Sequence, residues 1–172
     1  MSRTVILVEG PSDANAVTAL AQGLEVDLDG VEIVDMGGIT NVRRHLSALP
    51  GDVPVGVLHD VGEAGHVHRV VADLERPVRM FECDLDLEDE LIRALGVARV
   101  VQIVEQAGDL PAWLTISRQP FHRDRPADQV LRRFFGAGSG RKKRYGALLA
   151  AALDASTAPR PLVEALRMVT DG

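Results

Sequence analysis

The sequence predicts an α/β fold: a central, mostly parallel four-stranded sheet flanked by helices, followed by a helical C-terminal extension. Three observations predict it. Four short runs rich in Val, Leu and Ile alternate with helical patterns over the first 97 residues. The first of these runs is continuously apolar, as strands buried on both faces of a parallel sheet are. Beyond Gly96 the hydrophobic spacing turns wholly helical. Repeated strand–helix alternation lays right-handed crossovers onto one sheet. The expected division is 1–97 for the α/β core and 98–172 for a basic helical extension packed on it.

Taken in order, residues 4–8 form the first strand, broken by Glu9-Gly10-Pro11-Ser12. A helix follows over 13–22, with Ser12 as its expected N-cap and Gly23 as its stop. Residues 31–35 form the second strand, ended by Gly37-Gly38, and Thr40 is expected to cap a helix reaching about residue 49. The third strand is expected over 53–59, with Asp60 just past its end and Gly62 and Gly65 turning the loop. A helix at 67–74 leads to the fourth strand at 78–83. The amphipathic helix at 86–95 stops at Gly96. Further helices are expected at 98–107, 127–135, 141–153 and 161–169. The stretch Gly-Ala-Gly-Ser-Gly at 136–140 is the most flexible-looking joint.

A chain of 172 residues is long enough for one ordinary domain with a core of its own. Aromatics are 3% against 46% hydrophobic residues, so that core must be built from Val, Leu, Ala and Ile. No apolar run approaches the roughly 18 residues that span a bilayer. The start turns polar too early for a signal peptide. Cys83 is alone, which excludes an internal disulfide and fits a reducing, cytoplasmic setting. The net charge of −6 is unevenly spread. From Arg118 to Arg144 there are nine Arg or Lys against two Asp, so the remainder carries −13. An acidic body with a basic appendage pairs a cation site with a polyanion-binding face. Five of the six aromatics (Trp113, Phe121, Phe134, Phe135, Tyr145) fall in or beside this basic stretch. Phe134, Phe135 and Trp113 read as core, and Arg141 to Arg144 as the phosphate-binding element.

The chemistry lies in acids at strand ends. Glu9 follows the first strand, Asp60 the third, and Asp84, Asp86, Glu88 and Asp89 the fourth. Ligands of open parallel sheets gather at this carboxyl edge. Crowded acids repel unless a cation neutralises them, and hard oxygen ligands suit Mg²⁺ or Mn²⁺ rather than Zn²⁺. Each acid alone reads as a solvated loop residue, and Asp86 as a helix cap. Gly10 and Gly37-Gly38 permit tight turns, with Asn41 supporting the second. The first strand is followed by neither a P-loop nor GxGxxG, so nucleotide-cofactor folds are unsupported. A phosphoacceptor receiver with Asp60 as nucleophile would need a further acid pair near strand one and a strand-end Lys and Thr, which are absent. His59, His66 and His68 lie close in sequence without Cys or ligand spacing; His59 reads as a strand-end residue, and His66 and His68 as residues of a solvated helix.

Several motifs together carry a resemblance. Val5-Ile-Leu-Val-Glu-Gly-Pro-Ser-Asp13 resembles the first motif of TOPRIM domains. Asp35-Met-Gly-Gly38 with Asn41 resembles the turn after their second strand. Val57-Leu-His-Asp60 resembles the strand carrying their Asp-x-Asp motif, and Asp86-Leu-Glu-Asp-Glu-Leu91 the acidic helix start of OLD-family nucleases. Arg141-Lys142-Lys143-Arg144-Tyr145 resembles the basic C-terminal element of small stand-alone bacterial TOPRIM proteins. The resemblance implies a Rossmann-like TOPRIM sandwich and Mg²⁺-assisted phosphodiester hydrolysis or nucleotidyl transfer on DNA or RNA. It implies Glu9 as general acid/base and metal ligand, and Asp60 as the first Asp of Asp-x-Asp. Asp13, Asp86 and Glu88 correspond to further metal-holding acids, and Lys142 to a stabiliser of phosphate charge. Gly62 stands where the second Asp belongs, and Glu63 is the expected substitute. This departure, with the negative net charge, keeps open a weakly catalytic metal-dependent module that binds nucleic acid or nucleotide. TOPRIM domains in fused proteins act beside an ATPase, so a partner protein of that kind is a further expectation. Tyr145, the lone tyrosine, sits in the basic helix start, which argues against phosphotyrosine chemistry.

Overall fold

A computed structural model describes residues 3–138 and 140–170. Strands β1 (Thr4–Val8), β2 (Val31–Asp35), β3 (Val55–Asp60) and β4 (Arg79–Cys83) form one sheet in the order β2-β1-β3-β4. Every pairing is parallel. Because side chains alternate along a strand, β1 feeds two separate cores. Val5 and Leu7 pack with Val42 and Leu46 of α2 (Val42–Ala48) and with Val67 and Val70 of α3 (Ala64–Leu74). Ile6 and Val8 pack on the opposite face with α1 (Pro11–Gly23) and α4 (Leu87–Leu95). The later helices join this second core: α5 (Val97–Gln106), α6 (Leu110–Ser117), α7 (Ala127–Gly136), α8 (Arg141–Ala151) and α9 (Arg160–Thr170). Among the described residues no helix is long and apolar enough to cross a membrane.

The extension closes over aromatic rings, as the sequence suggests. Phe135 stacks on Tyr145 at 4.7 Å, and Phe134 meets Trp113 edge-on at 5.7 Å. The Tyr145 hydroxyl donates to Asp109 Oδ2 at 2.9 Å, and Arg144 Nη1 reaches the same oxygen at 3.1 Å. Arg144 Nη2 also donates to the Ala107 carbonyl at 2.7 Å. These bonds fix the start of α8 against the corner between α5 and α6. Helix α8 then lies directly on α1. A Cβ at Gly146 would stand 2.8 Å from the Ser12 carbonyl oxygen, a distance that backbone does not tolerate.

The first two strands hold at their expected bounds, and several other boundaries move for local reasons. Helix α1 begins at Pro11, whose fixed φ suits a first helical position. Its N-cap is therefore Gly10 rather than Ser12, and Ser12 is buried one position inside the helix. Thr40 caps nothing: Ile39–Asn41 form a 3₁₀ turn, and α2 starts after Asn41. β3 begins at Val55, because Pro54 lacks an N–H for the ladder, and it runs through Asp60. Helix α6 was not expected. Its signal is Pro111 just after Asp109, since proline is tolerated in a first helical turn. Ser139, in the glycine-rich joint, lies outside the described residues.

Gly146→Ala is expected to destabilise the fold by about 1–3 kcal/mol, the usual cost of overpacking a tight contact. Chemical denaturation checks it; an unchanged midpoint would show that α8 is free to back away from α1.

Candidate metal and phosphate site

Three sheet-edge elements bring acids together. Glu9 is the first residue past β1, and Asp13 sits in the first turn of α1, accepting the Gly10 amide at 3.0 Å. Asp60 ends β3. Asp86 caps α4 by accepting the Asp89 amide at 2.8 Å, and Glu88 lies in the first turn of that helix. The Asp60 carboxyl is pushed up to about 7, first by burial, then by the charges of Asp86, Glu9, Asp13 and Glu88. Asp13 is pushed up to about 6, chiefly by burial. The Gly10 amide and Lys142 pull it down, while Glu88 and Glu9 add to the rise. The carboxylates felt most strongly at Asp60 are thus Asp86, Glu9, Asp13 and Glu88; Glu63 ends the following 3₁₀ turn.

Two cations answer this charge. Glu88 is only 6% exposed. It accepts a hydrogen bond from Ser12 Oγ at 3.1 Å and holds Lys142 Nζ at 3.3 Å. Arg132 pairs with Asp86. Partial burial opposes protonation of Lys142, but Glu88 and Asp13 raise its proton affinity overall. The remaining acids of the segment serve structure: Asp84, Asp89 and Glu90 surround Arg93 at 3.5, 2.7 and 3.0 Å. Burial pushes the Cys83 thiol up, so it packs without reacting. His59 is buried at the end of β3, with Nδ1 3.0 Å from the Asp60 carbonyl. His68 is exposed, whereas Nε2 of His66 is buried without a partner rather than solvated as expected.

Lys142 stands between two clefts. One, of about 440 Å³, is lined by Glu9, Asp13, Gly37, Gly38 and Lys143. The other, of about 520 Å³, is lined by Asp86, Glu88, Arg125, Arg132 and Arg133. The glycine turn that walls the first is pinned in place. Gly37 and Gly38 have φ of +67° and +114°, which favour glycine. The Gly38 amide donates to the Glu9 carbonyl at 2.8 Å, and Asn41 Nδ2 donates to Met36 O and Gly37 O at 2.9 and 3.1 Å. Gly10 has extended backbone, so its turn needs no glycine conformation; its contribution is the N–H held by Asp13.

The four basic residues at the start of α8 point to different neighbours. Arg141 donates to the Phe134 carbonyl at 3.1 Å and lies 4.3 Å over that ring. Arg144 is held by Asp109. Lys142 and Lys143 line the first cleft. Two residues that sequence reasoning missed belong to the site: Ser12, as the partner of Glu88, and Arg132. No local spacing signals either, because their partners are 76 and 46 residues away.

Among the described residues no three His, Cys, Asp or Glu side chains form a ready-made metal cage. Mg²⁺ seldom needs one. It keeps several waters and is held through one or two carboxylates plus substrate phosphate. A crowded, partly protonated set of hard oxygens beside a glycine turn fits that mode.

The parallel sheet with acids at its carboxyl edge is the architecture of a TOPRIM domain. Residues 1–61 match the family model described as "Overcoming lysogenization defect protein-like, TOPRIM domain". The fold is similar to the C-terminal region of the OLD protein of Burkholderia pseudomallei, with TM-score 0.72 and 21% identity over 99% of this chain and 98% of that one. It is also similar to the C-terminal region of the Xanthomonas campestris pv. campestris OLD protein. There the TM-score is 0.68 and the identity 24%, over 99% and 93% of the two chains. No curated protein matches significantly. The chain therefore resembles the TOPRIM domain of OLD-family proteins along its whole length in fold, and in sequence over the stretch that carries Glu9, Asp13 and Asp60.

Asp60 gives a pH signature. Its carboxylate is disfavoured in the folded state, so ionisation costs stability. That cost is complete above about pH 7 and is relieved as pH falls toward the ordinary carboxylate range near 4. Metal-free Asp60→Asn is expected to melt roughly 2–4 °C above the unsubstituted protein at pH 8. The difference should shrink toward pH 5; thermal melts at both pH values check this, and a pH-independent difference would contradict it.

Proposed function

We propose that this chain is a Mg²⁺- or Mn²⁺-dependent nuclease of the TOPRIM type, acting on phosphodiester bonds of DNA or RNA. The observation that carries the proposal is the convergence of carboxylates on Asp60 with Lys142 beside them. In this reading the core, 1–97, supplies the acids and the extension, 98–172, supplies the cations. One or two of Asp60, Glu9 and Asp13 would hold the metal, with water and substrate phosphate completing its shell and Asp86 and Glu88 flanking. When bound, the ion supplies Lewis acidity toward a phosphate oxygen. Glu9, which lines the first cleft, would accept a proton from an attacking water. The Lys142 ammonium, with two clefts on either side, faces the charge that grows on phosphate oxygens in the transition state. Gly37 and Gly38 leave the backbone bare on the wall opposite. TOPRIM domains as a class bind divalent metal and process nucleic acid, which supports this reading, as does the OLD-like match over the acidic strand ends. An ATPase acting beside the chain is part of the same proposal.

A second reading is a metal-dependent binding module of little catalytic power. The pairing of Glu88 with Lys142 and of Asp86 with Arg132 favours it, because these acids are neutralised without metal. So does Gly62 at the second position of Asp-x-Asp.

Supercoiled plasmid, single-stranded DNA and structured RNA incubated with Mg²⁺ or Mn²⁺ distinguish the two. The nuclease reading expects cleavage that EDTA abolishes, that Glu9→Gln or Asp60→Asn lowers about 10²–10⁴-fold, and that Lys142→Met lowers about 10²–10³-fold. Binding without cleavage, indifferent to Glu9→Gln, supports the module. Protons compete with the metal for Asp60, so Mg²⁺ affinity measured by calorimetry should be roughly tenfold weaker at pH 6 than at pH 8. An affinity that does not change with pH would remove Asp60 from the ligand set.

A further inference from the structure

Six guanidiniums of this acidic chain, Arg3, Arg43, Arg93, Arg132, Arg144 and Arg160, each hold a carboxylate. Arg125 and Arg133 do not. Both line the cleft that continues from Lys142 away from the glycine turn, and neither forms an ion pair among the described residues. Between them lies Phe121, the most exposed large apolar side chain described, at 61%. Arg125 stands 4.3 Å and Arg133 5.0 Å from its ring centroid. The buried His122 ring meets it edge-on at 5.2 Å, and Arg125 Nε donates to the Phe121 carbonyl at 3.3 Å. Leu85, 53% exposed, lies on the same cleft. The other aromatics of the basic segment are buried. Phe121 is kept at the surface, oriented by its neighbours, beside cations that no acid neutralises.

We infer that Arg125, Arg133 and Phe121 form a track for a single-stranded segment of nucleic acid next to the phosphate held at Lys142. This rests on the proposed phosphodiester substrate and adds strandedness to it. The two guanidiniums, which lie over the Phe121 ring in the free protein, take consecutive phosphates and so free the ring face to stack a base. Stacking requires an unpaired base, whereas phosphate contacts alone accept any strand. Asp128, which lines the same cleft and forms no ion pair among the described residues, repels a backbone that strays toward it, so the strand is steered along the arginine side.

The test is fluorescence anisotropy with labelled single-stranded DNA, single-stranded RNA and duplex DNA, in EDTA so that neither metal nor cleavage enters. Thermal melts check that each variant is folded. Arg125→Ala with Arg133→Ala should weaken binding to all three and lower the single-strand slope of log affinity against log salt by about 1.4, two contacts at about 0.7 each. Phe121→Ala should weaken single-strand binding about 5- to 100-fold, leave its salt slope unchanged, and spare the duplex; Phe121→Leu should recover little. The inference is overturned if the unsubstituted protein binds no strand, if the double variant keeps its affinity and slope, or if Phe121→Ala affects duplex and single strand alike. Binding with these signatures but no cleavage in Mg²⁺ would retain the track and sink the nuclease reading. Cleavage with unaffected variants would do the reverse.

Discussion

Glu88 carries a charge into a nearly solvent-free position, and the site is organised around its partners. A buried carboxylate is costly unless paired and hydrogen-bonded. Here the hydroxyl of Ser12 on α1 and the ammonium of Lys142 on α8 meet that requirement. One side chain on α4 thereby ties together the first helix of the sheet domain and the eighth of the chain. The bare backbone at Gly146 lets α8 come close enough for the contact. The position of Lys142 relative to the strand-end acids follows from this triple contact, and with it the separation of the two clefts.

β1 and β2 were legible to the residue. Each is a short run rich in β-branched residues with a glycine turn soon after it, and local sequence is sufficient to end it. The convergence of Glu9, Asp60 and Asp86 was legible for a topological reason: parallel strands deliver their carboxyl ends to one edge whatever the loops do. What stayed hidden is long-range. Ser12 reads locally as a cap, and only the arrival of α4 and α8 converts it into a ligand of Glu88. Arg132 and Arg133 are neighbours in sequence, yet one neutralises Asp86 and the other is left without a carboxylate. No periodicity separates them; the way α7 is rolled against the core does.

Composition marked 118–144 as basic but could not say which charges face outward. The run Arg141 to Arg144 is the densest, and half of it is spent on structure: Arg141 on the Phe134 carbonyl, Arg144 on Asp109 and Ala107. Tyr145 is buried in the same corner. The residues free to meet a ligand are more scattered, on the 3₁₀ turn at Phe121 and along α7. Charge density along a sequence and charge presented to solvent differ here because a helix shares its residues between a packed and an open face.

The bonds from Ser12 to Glu88 and to the Lys142 carbonyl span 76 and 130 residues. Contacts of such separation close large loops, and their entropy must be met before any reward is gained. During synthesis the strand-end acids therefore emerge and assemble well before the helix that brings their counter-cation. The acidic edge gains its ammonium only when α8 has docked on α1 and α4.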